Sequence, residues 1–430
     1  MIVLYRIFLY LASPVIMLRL LCRALQDRRY FEHIEQRLGF AGRHLQPGGV
    51  WIHAVSVGEV NAAAPLVERL LNQYPHKPVT ITTMTPTGAE RVAAVFARRV
   101  GHCYLPYDYP GAVRRFLERA APCLALVMET EIWPNLIDAC HRLGTPMFYI
   151  NVRMSRRSHR GYHRWRSLVG PTLQKIGHFA VQTPPDARRL IRLGAPAAAV
   201  TVTGSLKFDI AFKPGGGEAA HRVRGDWGRR PVWVAGSTHE GEEAQILEVF
   251  ARLRERFESL LLVIVPRHPQ RFKRVFRLCA GGGYRTVLRS ENRGRISPDT
   301  DIYVADTMGE LPMLIAAGDI AFIGGSLVPV GGHNVLEASA AGVPVVFGRH
   351  MFNFSEIADL LLQHTAGIQV MNPGELAEVV LRLLNDPALR RRYADKGREL
   401  VAKKRGALDK ICALVDGEMA RQGEGRQSGD

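Results

Sequence analysis

The run from Gly331 to Gly348, Gly-Gly-His-Asn-Val-Leu-Glu-Ala-Ser-Ala-Ala-Gly-Val-Pro-Val-Val-Phe-Gly, sets a glycine-rich loop, a short helix and a buried strand in succession, with one acid inside the helix. Gly331 and Gly332 allow backbone amides to approach an anion, and a helix starting near Asn334 offers unpaired N–H donors and the positive end of its dipole. Glu337 can accept hydrogen bonds from ribose hydroxyls. This chemistry suits a nucleotide-sugar site. Any α/β loop–helix–strand unit reads the same way, and the glycines alone do not decide.

Acids at other apolar-run ends suggest a second function. Ser56-Val57-Gly58-Glu59 closes one strand-like run and precedes the helical run 60–73, so Glu59 can take a proton from a substrate hydroxyl. The same Ser-x-x-Glu is also a capping box. Glu129 directly follows the run Leu126-Val-Met, with Glu131 and Trp133-Pro134 just beyond, and two carboxylates there can share acid–base and positioning work. Lys207, in Thr203-Gly-Ser-Leu-Lys-Phe-Asp209, can stabilise a phosphate or a developing negative charge, or simply lie in solvent. Later in the chain Gly236-Ser237-Thr238, Arg267-His268 and Thr307-Met308-Gly309-Glu310 follow successive strand-like runs and, with the opening motif, suit a nucleotide's phosphate and base.

The elements that must position these groups are legible as alternating β-rich and helical runs. Strands are expected at 50–56, 79–85, 103–108, 124–130, 146–152, 178–183 and 200–205, then at 231–236, 260–267, 284–289, 301–306, 320–326 and 344–348. A gap rich in glycine and basic residues separates the two series. The expected organisation is an apolar anchor at 1–24, a first domain at 25–212, a linker at 213–230, a second domain at 231–420 and a polar, disordered tail at 421–430. Two doubly wound, Rossmann-like α/β domains then face an interdomain cleft. With 430 residues and 47% apolar content, each domain can build its own core.

A net charge of +17 calls for an anionic partner or surface. Residues 151–192 carry ten Arg or Lys against the single acid Asp186, with Tyr162 and Trp165 interleaved. Nucleic acid and anionic lipid both fit that cluster. The apolar N-terminus favours lipid. Its uncharged run, 7–18, falls short of the ~20 residues of a comfortable span, so a marginal span and an in-plane anchor are both open, as is a buried helix. Arg19, Arg23, Arg28 and Arg29 follow it and keep the main body cytoplasmic. Six cysteines without a C-x-x-C pair fit a reducing compartment. Neither a Walker loop, a Gly-x-Gly-x-x-Gly, a Gly-x-Ser-x-Gly elbow nor a zinc-protease helix is present.

Taken in order, Ser56-Val-Gly-Glu59, Thr82-Thr-Met-Thr-Pro-Thr-Gly88, Tyr104-Leu-Pro-Tyr-Asp108, Met128-Glu-Thr-Glu-Ile-Trp-Pro-Asn135, Thr203-Gly-Ser-Leu-Lys-Phe-Asp209, Ser237-Thr-His-Glu-Gly-Glu242, Val265-Pro-Arg-His-Pro269, Asp306-Thr-Met-Gly-Glu-Leu311 and Gly331-Gly-His-Asn334 resemble the 3-deoxy-D-manno-octulosonic acid (Kdo) transferases of lipopolysaccharide synthesis. The resemblance implies a GT-B glycosyltransferase on the cytoplasmic side of the inner membrane. It implies inverting transfer of Kdo from CMP-Kdo to lipid IVA with no cofactor or metal, and an anionic membrane surface, rather than nucleic acid, as the further partner. By motif, Glu59 is the proton acceptor, and Glu129 and Lys207 stabilise the transition state. Arg267, His268, Met308, Gly309, Glu310, Asn334, Val335, Leu336 and Glu337 line the CMP site in the second domain, leaving the acceptor to the first. Several members carry Glu-Arg-x-Gly where this chain reads Gln36-Arg37-Leu38-Gly39, which turns the search for a base away from position 36 and towards Glu59.

Overall fold

The computed structural model describes residues 1–41, 45–210 and 216–427. The chain divides into two compact units, Met1–Ile210 with Arg405–Asp430, and Ala211–Lys404. Each is built on one parallel sheet.

In the first unit β1 (Val50–His53), β2 (Val79–Thr83), β3 (Gly101–Tyr104), β4 (Leu124–Met128), β5 (Met147–Val152), β6 (His178–Val181) and β7 (Val200–Val202) line up in the order β3-β2-β1-β4-β5-β6-β7. Both faces are covered, which is why the strands read as near-continuous apolar runs. Trp51 points into a cluster with Phe116, Tyr149 and Phe179, whereas its neighbours Val50 and Ile52 point into the opposite one, with Leu66 and Phe96. The helix Val57–Gln73 after β1 packs on the second of these faces, and Pro134–Arg142 after β4 on the first. Adjacent strands β1 and β4, paired His53 to Val127, therefore send their chains in opposite directions. That reversal opens a crevice at their carboxyl ends.

The second unit repeats the scheme with β8 (Val232–Thr238), β9 (Leu261–Pro266), β10 (Thr286–Leu288), β11 (Ile302–Val304), β12 (Ile320–Ile323), β13 (Val345–Gly348) and β14 (Ile368–Val370), in the order β10-β11-β9-β8-β12-β13-β14. Its reversal falls between β8 and β12. One buried acid ties that point together. Glu242, fully buried in the first turn of the helix Glu242–Arg254, accepts the N–H groups of Gly325 (2.6 Å), Ser326 (2.9 Å) and Leu327 (2.9 Å) beyond β12, and that of His239 (3.0 Å) beyond β8. Beside it Glu243 receives Arg271 in a two-point ion pair and the hydroxyl of Thr238.

Three expected bounds are corrected, and the N-terminal apolar segment is resolved in more detail. The apolar segment at 1–24 is two helices, Ile2–Leu11 and Ser13–Gln26, bent by 52°, and no single helix among the described residues is long and apolar enough to cross a membrane. Most of the supposed linker at 213–230 is the helix Gly216–Trp227, whose Ala220, Val223 and Trp227 are buried at helical spacing; residues 213–215 lie outside the described residues. The segment from Arg405 belongs to the first unit, because Ala407, Ile411 and Val415 complete one face of its sheet. The tail from 421 is helical through Gln427.

Replacing Glu242 by Gln sets an amide against main-chain donors and leaves at least one buried N–H unpartnered. Urea unfolding should show a loss of about 3 kcal/mol. A loss below about 1 kcal/mol would mean that the two loops hold their places without the carboxylate.

Candidate active site

Glu59 stands in the first turn of Val57–Gln73, at the β1 side of the first reversal. The capping-box geometry is incomplete: Ser56 makes no side-chain cap, and instead its hydroxyl donates weakly to Glu59 at 3.4 Å. The carboxylate accepts the Val55 N–H at 2.8 Å. Burial pushes the carboxyl up to about 8, with Glu129 and Glu131 adding to the rise and the Val55 N–H opposing it. A carboxyl so perturbed, held in a crevice by one amide, can exchange a proton near neutral pH.

Glu129 and Glu131 follow β4 on the other side of the same reversal. The backbone of Glu129 is left-handed, with φ 58°, a conformation costly for a glutamate and held here by its N–H bond to Ile150. Glu131 is also raised, by burial and then by Glu129. The loop that carries both acids is fixed from below by Asp108, whose carboxylate accepts the N–H groups of Asn135 (2.9 Å) and Leu136 (2.8 Å).

Lys207 comes from the far edge of the sheet, after β7, but its helix Leu206–Ile210 turns back to pack on the helix that carries Glu59. No carboxylate pairs with its ammonium among the described residues. Two side chains place that helix. Asn151, fully buried and left-handed at the end of β5 (φ 54°), accepts the Leu206 N–H at 3.2 Å, and Asp209 accepts the N–H groups of Gly406 and Leu408. The sequence reading missed Asn151; its signal was an amide directly after the apolar Phe148-Tyr-Ile of a buried strand. Gln36 is buried, with its side-chain carbonyl accepting the Tyr104 N–H at 2.9 Å.

In the second unit Arg267 and His268 are exposed just past β9. Met308 is exposed, and Gly309 takes φ +84° before the helix Leu311–Ala317. The Glu310 carboxylate is already engaged, in a two-point pair with Arg289 (3.1 and 3.2 Å) and with the Thr307 hydroxyl. Val335 and Leu336 are fully buried, so only their main chain can meet a ligand, and the Leu336 N–H is held by Asn334. Glu337 is half-buried and accepts from the Asn334 amide at 3.2 Å. Gly331 and Gly332 do not aim their amides outward as the sequence suggested: both donate to the Gly325 carbonyl. A Cβ on either would strike Asn353 or Met351 within 2.2 Å, so these glycines serve close packing. Missed in the sequence was the stacked pair His239 and His333, which meet Nε2 to Nε2 at 2.7 Å across the β8–β12 reversal, with His268 edge-on to His239.

Two parallel doubly wound sheets with polar side chains gathered at both reversals make this a GT-B-like glycosyltransferase fold. A UDP-GlcNAc 2-epimerase from Neisseria meningitidis, solved with UDP-GlcNAc bound, shares that fold at 14% identity (87% of this chain, 100% of that one, TM-score 0.55). The family model for 3-deoxy-D-manno-octulosonic-acid transferase (kdotransferase) matches residues 32–210, and that for group 1 glycosyl transferases matches 239–400. The 3-deoxy-D-manno-octulosonic acid transferase of Haemophilus influenzae is 38% identical across 96% of this chain and 97% of its own. A solved C-terminal CMP-Kdo-binding domain from Acinetobacter baumannii is 34% identical over 43% of this chain and 96% of that one, with a TM-score of 0.41. The chain belongs to the 3-deoxy-D-manno-octulosonic acid transferase family.

Because folding raises the Glu59 carboxyl from about 4.5 to about 8, the native state holds that proton more tightly than the unfolded chain. The stability this contributes is complete below about pH 4.5 and is lost as pH rises through about 8. Glu59→Gln keeps an acceptor for the Val55 N–H and cannot ionise. Its Tm should match the wild type near pH 5 and exceed it near pH 9; an unchanged difference across that range would show that Glu59 titrates normally.

Proposed function

We propose that the protein transfers Kdo from CMP-Kdo to the 6′ hydroxyl of lipid IVA, releasing CMP with inversion at the anomeric carbon and without a metal ion. The observation that carries this reading is Glu59. It lies at the reversal of the first sheet, with its proton affinity raised into the range a general base needs and the Val55 N–H fixing one oxygen. Unit 1 would supply the base and take the acceptor; unit 2 would hold the donor.

Attack by the hydroxyl transfers its proton to the Glu59 carboxylate as the bond to the anomeric carbon forms and the bond to the CMP phosphate breaks. Charge then grows on the departing phosphate. The exposed Arg267 guanidinium, which has no carboxylate partner among the described residues, and the N–H groups around Met308–Glu310 would receive it. In the first unit Lys207 and the strained Glu129 would stabilise the transition state, and Glu129 would sustain the proton affinity of Glu59. Exposed Met308 offers apolar surface to the base, and Glu337 accepts from the ribose. Glu310, Val335 and Leu336 enter as framework, through the Arg289 ion pair and the main chain.

An anionic membrane surface at the cytoplasmic side of the inner membrane fits the first unit. Val3, Phe8, Leu11 and Val15 of the N-terminal helices are more than 60% exposed, while Tyr5 and Arg6 bind the body of the unit through Asp108, Asn135 and Asp138. Such a helix pair is suited to lie in the plane of the interface.

Detergent-purified protein given CMP-Kdo and lipid IVA should yield a lipid product heavier by Kdo on mass spectrometry, and Glu59→Ala should lower turnover by 10²-fold or more while CMP affinity by calorimetry is kept. Retained turnover would remove Glu59 from the base role. Glu337→Ala should weaken CMP binding by about tenfold, the cost of one hydrogen bond to a charged acceptor; unaltered affinity would remove it from the ribose.

A further inference from the structure

A cavity of about 500 Å³ opens in the first unit where Ile2–Leu11 meets the helices Pro110–Ala120 and Pro134–Arg142, and Arg6, Arg114 and Arg142 line it. None of these arginines belongs to the proposed catalytic machinery. The local charge is unbalanced. The carboxylate of Asp138 is shared by Arg6 (3.1 Å), Arg142 (3.1 Å) and Lys175 (2.5 Å), and among the described residues Arg114 meets the exposed Glu118 loosely, at 3.7 Å. Three guanidinium side chains thus line the open space, and no acid is among the residues lining it. The neighbouring carboxylate, Asp108, is already occupied by Asn135, Leu136 and Tyr5.

The surroundings are apolar. Ile7, Phe8 and Leu11 of the N-terminal helix, and Leu143 at the end of Pro134–Arg142, are all more than half exposed. Guanidiniums lining a recess beside an apolar helix match a ligand with an anionic head and hydrocarbon chains. We propose that this cavity seats the phosphate of a lipid head group, with the chains lying along the exposed side of Ile2–Leu11. Planar guanidinium forks bind phosphate oxygens in pairs, so a terminal phosphate monoester fits better than a singly charged head group of other shape. The proposal rests on the in-plane anchoring of the N-terminal helices.

The test is partition of the full chain, by sedimentation, onto three kinds of phosphatidylcholine vesicle: neutral, with phosphatidic acid, and with phosphatidylserine at matched surface charge. The wild type should favour phosphatidic acid over phosphatidylserine about fivefold or more. Arg114→Ala with Arg142→Ala should erase that preference and weaken binding to phosphatidic acid by roughly fivefold per arginine, with neutral vesicles unaffected. Both side chains are more than 60% exposed, so the fold should tolerate their loss. Equal binding of the two anionic vesicles by the wild type, or a preference that survives the double substitution, would overturn the site. A Tm raised by inorganic phosphate in the wild type alone, without head-group discrimination, would assign the cavity to a soluble phosphate ester and also overturn it. Phe8→Glu with Leu11→Glu reports separately on anchoring: it should abolish binding to all three vesicles, and unchanged binding would remove the premise while leaving the head-group result readable.

Discussion

Parallel strands joined by right-handed crossovers must send the chain to one face of the sheet or the other, and where two adjacent strands choose opposite faces their following loops are forced apart. In this chain that happens at β1–β4 and again at β8–β12. Glu59, Glu129 and Glu131 flank the first of these places, and His239 and His333 meet across the second. The cost is that loops at such a point have little of their own to hold them. The protein meets it with buried carboxylates that collect amide donors: Asp108 in the first unit, and Glu242, with four, in the second.

Those carboxylates and Glu59 are buried acids that differ in the number of donors around them. Glu242 is saturated by four N–H groups and is a fixed part of the frame. Burial raises all three carboxyls, and at Glu59, with one strong donor and two acidic neighbours, the rise reaches about 8. Glu129, with its left-handed backbone, adds to that rise.

Much of this was legible in the sequence because buried parallel strands are short apolar runs, and residues directly after such runs fall at the carboxyl edge. Thirteen expected strands are present, and Glu59, Glu129 and Arg267 stand at the ends predicted for them. What was missed depended on contacts distant in sequence. The final helix reads as an extension of the second unit, but its apolar stripe Ala407, Ile411 and Val415 fills the first sheet's uncovered face. β14, only Ile-Gln-Val, is too short to stand out before the helix Pro373–Asn385. Glycine and arginine hid the amphipathic spacing of Gly216–Trp227. Glu310 looks like a ligand group until Arg289, 21 residues earlier, is seen to claim it. The histidine pair was invisible because 94 residues separate its members.

The proposed proton transfer turns on the proton affinity of one side chain. Isotope-edited infrared or carbon-detected NMR of glutamate-labelled protein, with Glu59→Gln as the assignment control, follows that carboxyl directly through a pH titration. The structure predicts that the signal lost in the variant titrates near 8. A midpoint near 4.5, the ordinary glutamate value, would contradict it and leave the first reversal without a base.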